Sequence, residues 1–260
     1  MTAPHATSDL TLYTFAMSHY SEKIRWVLDA EGLPYREVIL TPTFHMLPAL
    51  RMGGRGQTTL PILQAGRTFV QDSTRILEWL AAHRGPLKTL PADAAARAEA
   101  MAVEERFDAI GKDVARFLYW TGFDHPKQIK ELWTRHATPL QRAAIRLGYP
   151  LIKLGFARKL RINARDVARA QQRIEAELDW LDARLAAGGR WLAGEAFTVA
   201  DITAAALLAP IARPPQHPVY GEASFEATLP PAARGWQARP ALQWVRRLYA
   251  AQRGPVRLGA

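Results

Sequence analysis

LYTFAMSHYSEKIRWVL, residues 12–28, opens as a short apolar run, stops at the small polar Ser18 and turns into a helical pattern. TLPILQAGRTFVQDSTRILEWL, residues 59–80, adds an apolar-proline pair, a tight Ala65–Gly66 turn, a second apolar run and Asp72–Ser73 opening a helix. Between the two, Gly32 and Pro34 stop the first helix. Tyr35–Leu40 alternates like a strand. Thr41–Gln57 reads as a loop with one helical turn around Met46–Met52. The order is βαβ followed by ββα. Two helix N-termini at the ends of strands offer unpaired N–H groups and partial positive charge, which suits an anionic, peptide-like ligand.

Beyond Arg84-Gly-Pro-Leu-Lys-Thr-Leu-Pro91, read as a linker over 84–91, the chain is almost wholly helical. Ala92–Trp120 is long and alanine-rich, Pro139 and Pro150 punctuate further helices, and Asn163–Ala187 is periodic. Thr198 with Asp201 three residues later reads as a capping box, with Phe197 and Ile202 as its hydrophobic staple. Arg213–Pro231, with five prolines, reads as an ordered surface loop. Residues 1–9 read as a disordered lead-in without a signal peptide. The division expected is 10–83 and 92–260: an α/β thioredoxin-like N-terminal domain with an all-α C-terminal domain.

Composition narrows the chemistry. The 260 residues are 48% hydrophobic and 22% charged, ordinary for a globular chain with a sizeable core. No apolar run is long enough to span a membrane. There is no cysteine, which removes disulfides, thiolate metal sites and any enzyme-borne thiol. Cytoplasmic location is the simplest expectation. The seven histidines have no metal-ligand spacing, so no metal is expected. Net charge is +10, and Arg135–Arg173 holds ten Lys or Arg against one acid, Asp166. The run reads first as a solvated arginine-rich face. The sharper alternative is a surface for an anionic partner, such as a membrane. No nucleic-acid motif accompanies it, and no nucleic-acid partner is expected.

These stretches together resemble the soluble glutathione transferases, in particular serine-type, bacterial-like members. The likeness covers about residues 10–82 and 165–210. Ser18 stands where such enzymes place the residue facing the glutathione sulfur, with Ser21, Lys23 and Arg25 continuing an S-x-x-S-x-K-x-R run. Leu60–Pro61 matches the pair whose proline is cis and whose preceding residue pairs with the cysteinyl backbone. Asp72–Ser73 matches the acidic-Ser pair that holds the γ-glutamyl end, and Phe197–Asp201 the family's C-terminal helix cap. Residues 122–163 and 214–235 lie outside the likeness. The resemblance implies glutathione as co-substrate, a hydrophobic electrophile, a homodimer and detoxification chemistry.

Each of these residues also has an ordinary structural role. Ser18, Asp72 and Ser73 are standard helix-capping types. Pro61 suits the start of an edge strand. Ser21 or Tyr13 are rivals to Ser18 for the sulfur. His45, Gln57, Arg51 and Arg55 are the donors available to a glycyl carboxylate, with His45 and Gln57 preferred. Met17, Tyr20, Phe117 and Trp120 are the candidate pocket for the second substrate, with His19 and Tyr119 beside them, although aromatic stripes are more often core. The reaction implied is attack of the glutathione thiolate on an electrophilic small molecule. A non-catalytic glutathione-binding or interaction protein on the same fold is the alternative. An isomerase or lyase that regenerates glutathione is a third reading. The dimer expectation draws on Ile76, Leu77, Trp79 and Leu80, with Met101, Val103 and Phe107, as apolar surface in excess of one face.

Overall fold

The computed structural model describes residues 9–53 and 56–259. Most of the expected lead-in, and Arg55, lie outside them. The first domain follows the alternation of apolar residues with helix signals: β1 (Leu10–Thr14), α1 (His19–Glu31), β2 (Arg36–Ile39), α2 (Met46–Gly53), β3 (Ile62–Ala65), β4 (Thr68–Gln71) and α3 (Ser73–His83). The sheet order is β2-β1-β3-β4. β1 runs parallel to β2, with Tyr13 opposite Val38, and antiparallel to β3, with Tyr13 opposite Ile62. The β3–β4 hairpin turns at Gly66, whose φ of 58° is the left-handed value such a turn needs. Gly32 ends α1 in the same left-handed region. This is a thioredoxin-like sheet.

The second domain is helical. α4 (Ala94–Gly122), α5 (Pro126–Thr134), α6 (Pro139–Leu160), α7 (Ala164–Ala186) and α8 (Val199–Ala212) precede two short helices, α9 (Ala223–Glu226) and α10 (Pro231–Gly235), and then α11 (Pro240–Leu248). α8 is buried at all 14 positions, so it is the central rod around which α1, α4 and α11 pack, with α7 laid on α4 and α11. Its N-terminus is fixed as the sequence predicts. Thr198 Oγ1 caps it, and Asp201 accepts hydrogen bonds from Thr198 N and Leu192 N, each 2.9 Å.

Charged groups join the domains where both are buried. Lys23 on α1 pairs with Glu104 and, at 2.7 Å, with Asp108, both on α4. Arg253, in a π-turn after α11, pairs with Glu22 at 2.9 Å and Asp29 at 2.6 Å on α1. Each buried charge therefore has an opposite charge and further donors or acceptors, which offsets its desolvation.

Three expectations are corrected. Pro150 does not end a helix but lies inside α6. It is exposed, so the carbonyl that loses its backbone partner can be met by water. The proline-rich 213–231 segment turns inward and buries His217, Val219, Tyr220 and Leu229. The apolar residues assigned to a dimer face are largely in the intrachain core: Ile76, Leu77, Leu80, Val103 and Phe107 are buried, and Trp79 stacks on His83. α3 packs on α1, β3 and β4 of its own domain, which uses this apolar surface inside the chain.

Candidate functional site

The loop from β1 to α1 is held from both domains. Arg25 Nη2 donates to Phe15 O at 2.9 Å and is itself pinned by Glu37 at 2.6 Å. Tyr220 Oη donates to Met17 O at 3.0 Å. The half-buried Ser18 caps α1, its Oγ accepting from Ser21 N at 3.2 Å. That leaves the hydroxyl proton free to point to a ligand. Ser21 is fully buried, with no partner for its hydroxyl among the described residues. Tyr13 donates to Gln64 Oε1 at 2.8 Å and packs beside Leu60 and Ile62.

The second wall is the turn before β3. The Leu60–Pro61 bond is cis. Among the described residues the Leu60 N–H and C=O have no hydrogen-bond partner. Asp72 N donates to Pro61 O at 3.3 Å, which seats the N-terminus of α3 against this turn. The exposed carboxylate of Asp72 caps α3 through one oxygen, accepting from Thr74 N at 3.1 Å and Arg75 N at 3.3 Å. Asp72 has φ 94° and ψ 133°, a conformation unfavourable for any residue with a Cβ. Strain of this kind is sustained by surrounding contacts and concentrates at functional positions. Ser73 is buried, and its hydroxyl is already engaged: it accepts from Lys23 Nζ and donates to Asp108 Oδ1 at 3.2 Å. Its backbone N–H, at the first position of α3, is the group left for a ligand.

The third wall comes partly from the other domain. His45 lies edge-on to Phe15, ring centroids 4.6 Å apart. Burial and the neighbouring Lys159 cation push its pKa down to about 4, so the ring is neutral at neutral pH. Its Nδ1 is buried without a partner among the described residues. Lys159, on the last turn of α6, donates to Thr58 Oγ1 at 2.5 Å, and burial lowers its pKa from the ordinary lysine value. Gln57 and Arg51 are exposed. No local motif marks Lys159; its place is fixed only by how α6 lies over the first domain.

The proposed pocket residues separate. Met17 is half-buried between two apolar clusters, and Trp120 is exposed at the end of α4. Phe117 is corrected: it is a core residue stacked on Trp236, centroids 5.3 Å apart, because α4 turns that face toward the turn after α10. Tyr20 donates to Asp108 O at 2.9 Å, and His19 Nε2 donates to Gly111 O at 3.0 Å, so both seal α1 against α4. A groove of about 610 Å³ opens between α3 and α4, with Thr74, Glu78, Glu104, Glu105 and Asp108 on its walls. Its carboxylates favour a cationic group. Among the described residues no cluster of His, Asp or Glu is placed to hold a metal.

Two models of one family match the chain: glutathione S-transferase, N-terminal domain, over residues 12–88, and glutathione S-transferase, C-terminal domain, over 164–247. The chain belongs to the glutathione S-transferase family. α5 and α6 fall in the part of the chain that neither model covers. Similar solved structures share the fold at low identity. A glutathione S-transferase from Methylobacterium radiotolerans, in complex with glutathione sulfonate, is 24% identical, with TM-score 0.56 over 90% of this chain and 92% of that one. The beta-etherase LigF from Sphingobium sp. strain SYK-6 is 20% identical, with TM-score 0.58 over 92% and 99%. A maleylacetoacetate isomerase from Methylobacterium extorquens with bound malonate and glutathione is 19% identical, with TM-score 0.53 over 93% and 92%. No curated protein sequence matches the chain.

Proposed function

We propose that this protein is a glutathione S-transferase whose Ser18 stabilises a thiolate for attack on a hydrophobic electrophile. The observation that supports this most is the free Leu60 backbone pair beside the cis Pro61, seated against the strained Asp72. An extended peptide added there gains two main-chain hydrogen bonds, like one more strand. Asp72, with one oxygen outside its capping bonds, takes the α-ammonium, and the N-terminus of α3 takes the α-carboxylate. At the other end Lys159 and His45 receive the glycyl carboxylate. Gln57 and Pro61 complete the wall.

Glutathione supplies a thiol with a pKa near 8.5, only a few percent ionised at neutral pH. The Ser18 hydroxyl keeps its acceptor role in the α1 cap while donating to the sulfur. Together with the helix N-terminus it favours the anion, and holding both reactants together supplies proximity. A carbon–sulfur bond then forms as the electrophile's leaving group departs or its double bond takes up a proton. Met17 and Trp120 border the second substrate. The protein acts in the cytoplasm, as a homodimer, and serves detoxification. Titration with glutathione in a calorimeter, followed by a conjugation assay with a chromogenic electrophile, tests the reading. Absence of heat change would overturn it. Binding without turnover would favour the non-catalytic alternative.

A further inference from the structure

α6 has two apolar faces. Ile145 and Tyr149 are buried inward, with Ile152 and Phe156 packed beside them over Trp133 and Phe123. On the outside, Leu140 is 79% exposed, Leu147 85%, Leu151 77% and Leu154 47%. At 3.6 residues per turn these four lie within about 60° of arc and form one stripe along the helix. Scattered exposed leucines need no explanation, but four in a continuous row on one helix do.

The surroundings of the stripe say what covers it. Residues 139–160 contain five Lys or Arg and no acid. Arg146 and Arg158 are exposed, and exposed Arg161 and Arg169, which share Asp166, continue the basic surface past the helix end. A second copy docked through this face would bring two basic rims together, which like-charge repulsion opposes. A nucleic acid would use the basic rim and leave the leucines idle. An exposed leucine row with a basic flank matches a helix lying in the headgroup region of an anionic bilayer. No described helix is long and apolar enough to cross a membrane, so the contact is peripheral.

We propose that α6 docks this protein on anionic lipid surfaces, with Leu140, Leu147, Leu151 and Leu154 inserted among the acyl chains and the arginines on the headgroups. This would hold the enzyme where apolar electrophiles concentrate, yet it rests on α6 alone and not on the glutathione site. The test is co-sedimentation of the full chain, without glutathione, with phosphatidylcholine vesicles and with mixed phosphatidylcholine–phosphatidylserine vesicles. The expected result is binding to the mixed vesicles only, reduced at high salt, and reduced by about tenfold or more in the Leu147→Gln/Leu151→Gln variant. Both leucines point to solvent, and an unchanged melting curve of the variant confirms that its fold is intact. No binding to anionic vesicles at low salt overturns the proposal. So does binding that the double variant leaves unchanged, the signature of a charge-only polyanion site. Concentration-dependent self-association of the wild type that the double variant abolishes also overturns it, and assigns the stripe to a second copy.

Discussion

Lys159, on the last turn of α6, donates a 2.5 Å hydrogen bond to the hydroxyl of Thr58, two residues before the cis Leu60–Pro61 bond. The helix that neither family model covers thus places a cation at the wall of the first-domain cleft. Replacing Lys159 by Ala removes that charge without touching the sheet. Glutathione affinity is expected to fall by about 1–3 kcal/mol, as for a hydrogen bond between charged groups. Calorimetry on Lys159→Ala that returns the wild-type affinity would show that the glycyl end lies elsewhere.

Asp72 caps α3 and, on the reading above, also holds an ammonium. The two roles separate in Asp72→Asn. Asn caps helices as well as Asp and carries the same Cβ, so the backbone strain is unchanged and stability should change by a few tenths of a kcal/mol. The lost charge should still weaken glutathione binding by about 1–3 kcal/mol. Equal effects on stability and binding would make Asp72 a capping residue only.

Ser18→Ala should cost about 1 kcal/mol of stability as a lost cap. It should also raise the pKa of bound glutathione by about one unit or more, followed through thiolate absorbance against pH. If only stability changes, Ser18 does no more than cap α1.

What was legible in the sequence is what local chemistry dictates. The Thr198–Asp201 box, the Gly32 stop and the Asp72 cap each depend on groups within a few residues, and each forms as read. What was not legible depends on which distant surface arrives. Phe117 had the exposure-neutral look of a pocket residue until Trp236, far along the chain, covered it. The prolines of 213–231 suggested a surface loop, yet Tyr220 crosses to the Met17 carbonyl. Lys159 looked like one cation in a basic run, and only the path of α6 brings it to Thr58.

His19 is buried and donates to Gly111 O, and burial lowers its pKa to about 4 from an ordinary 6.5. Between those values the unfolded chain binds a proton that the folded one does not. Stability from this group is therefore complete above about pH 6.5 and is lost as the pH falls toward 4, by up to about 3 kcal/mol. Asp201, pushed up to about 6 by burial, acts in the opposite sense over part of that range. The wild-type curve mixes these with His45 and His217, whose pKa values burial also lowers, so the diagnostic is the difference between wild type and His19→Gln. Denaturant melts should show a shallower loss of stability below pH 6.5 in the variant. Parallel curves would mean that His19 is protonated alike in both states.

Gly111 lies in the middle of α4, where helix propensity alone favours Ala by about 1 kcal/mol. Packing says the reverse. A Cβ at Gly111 would stand 2.3 Å from Tyr20 Oη, 2.4 Å from its Cζ and 2.7 Å from Leu207 Cδ1. Tyr20 cannot swing away without giving up its hydrogen bond to Asp108 O, and Leu207 is fully buried on α8. Gly111→Ala should thus force α1, α4 and α8 apart and cost about 1–3 kcal/mol net. Gly155, exposed on α6 with nothing within 4 Å of its missing Cβ, is the control. Gly155→Ala should stabilise by up to about 1 kcal/mol. Denaturant midpoints read both. If Gly111→Ala also stabilises, the close approach of Tyr20 to α4 is not part of the folded protein in solution.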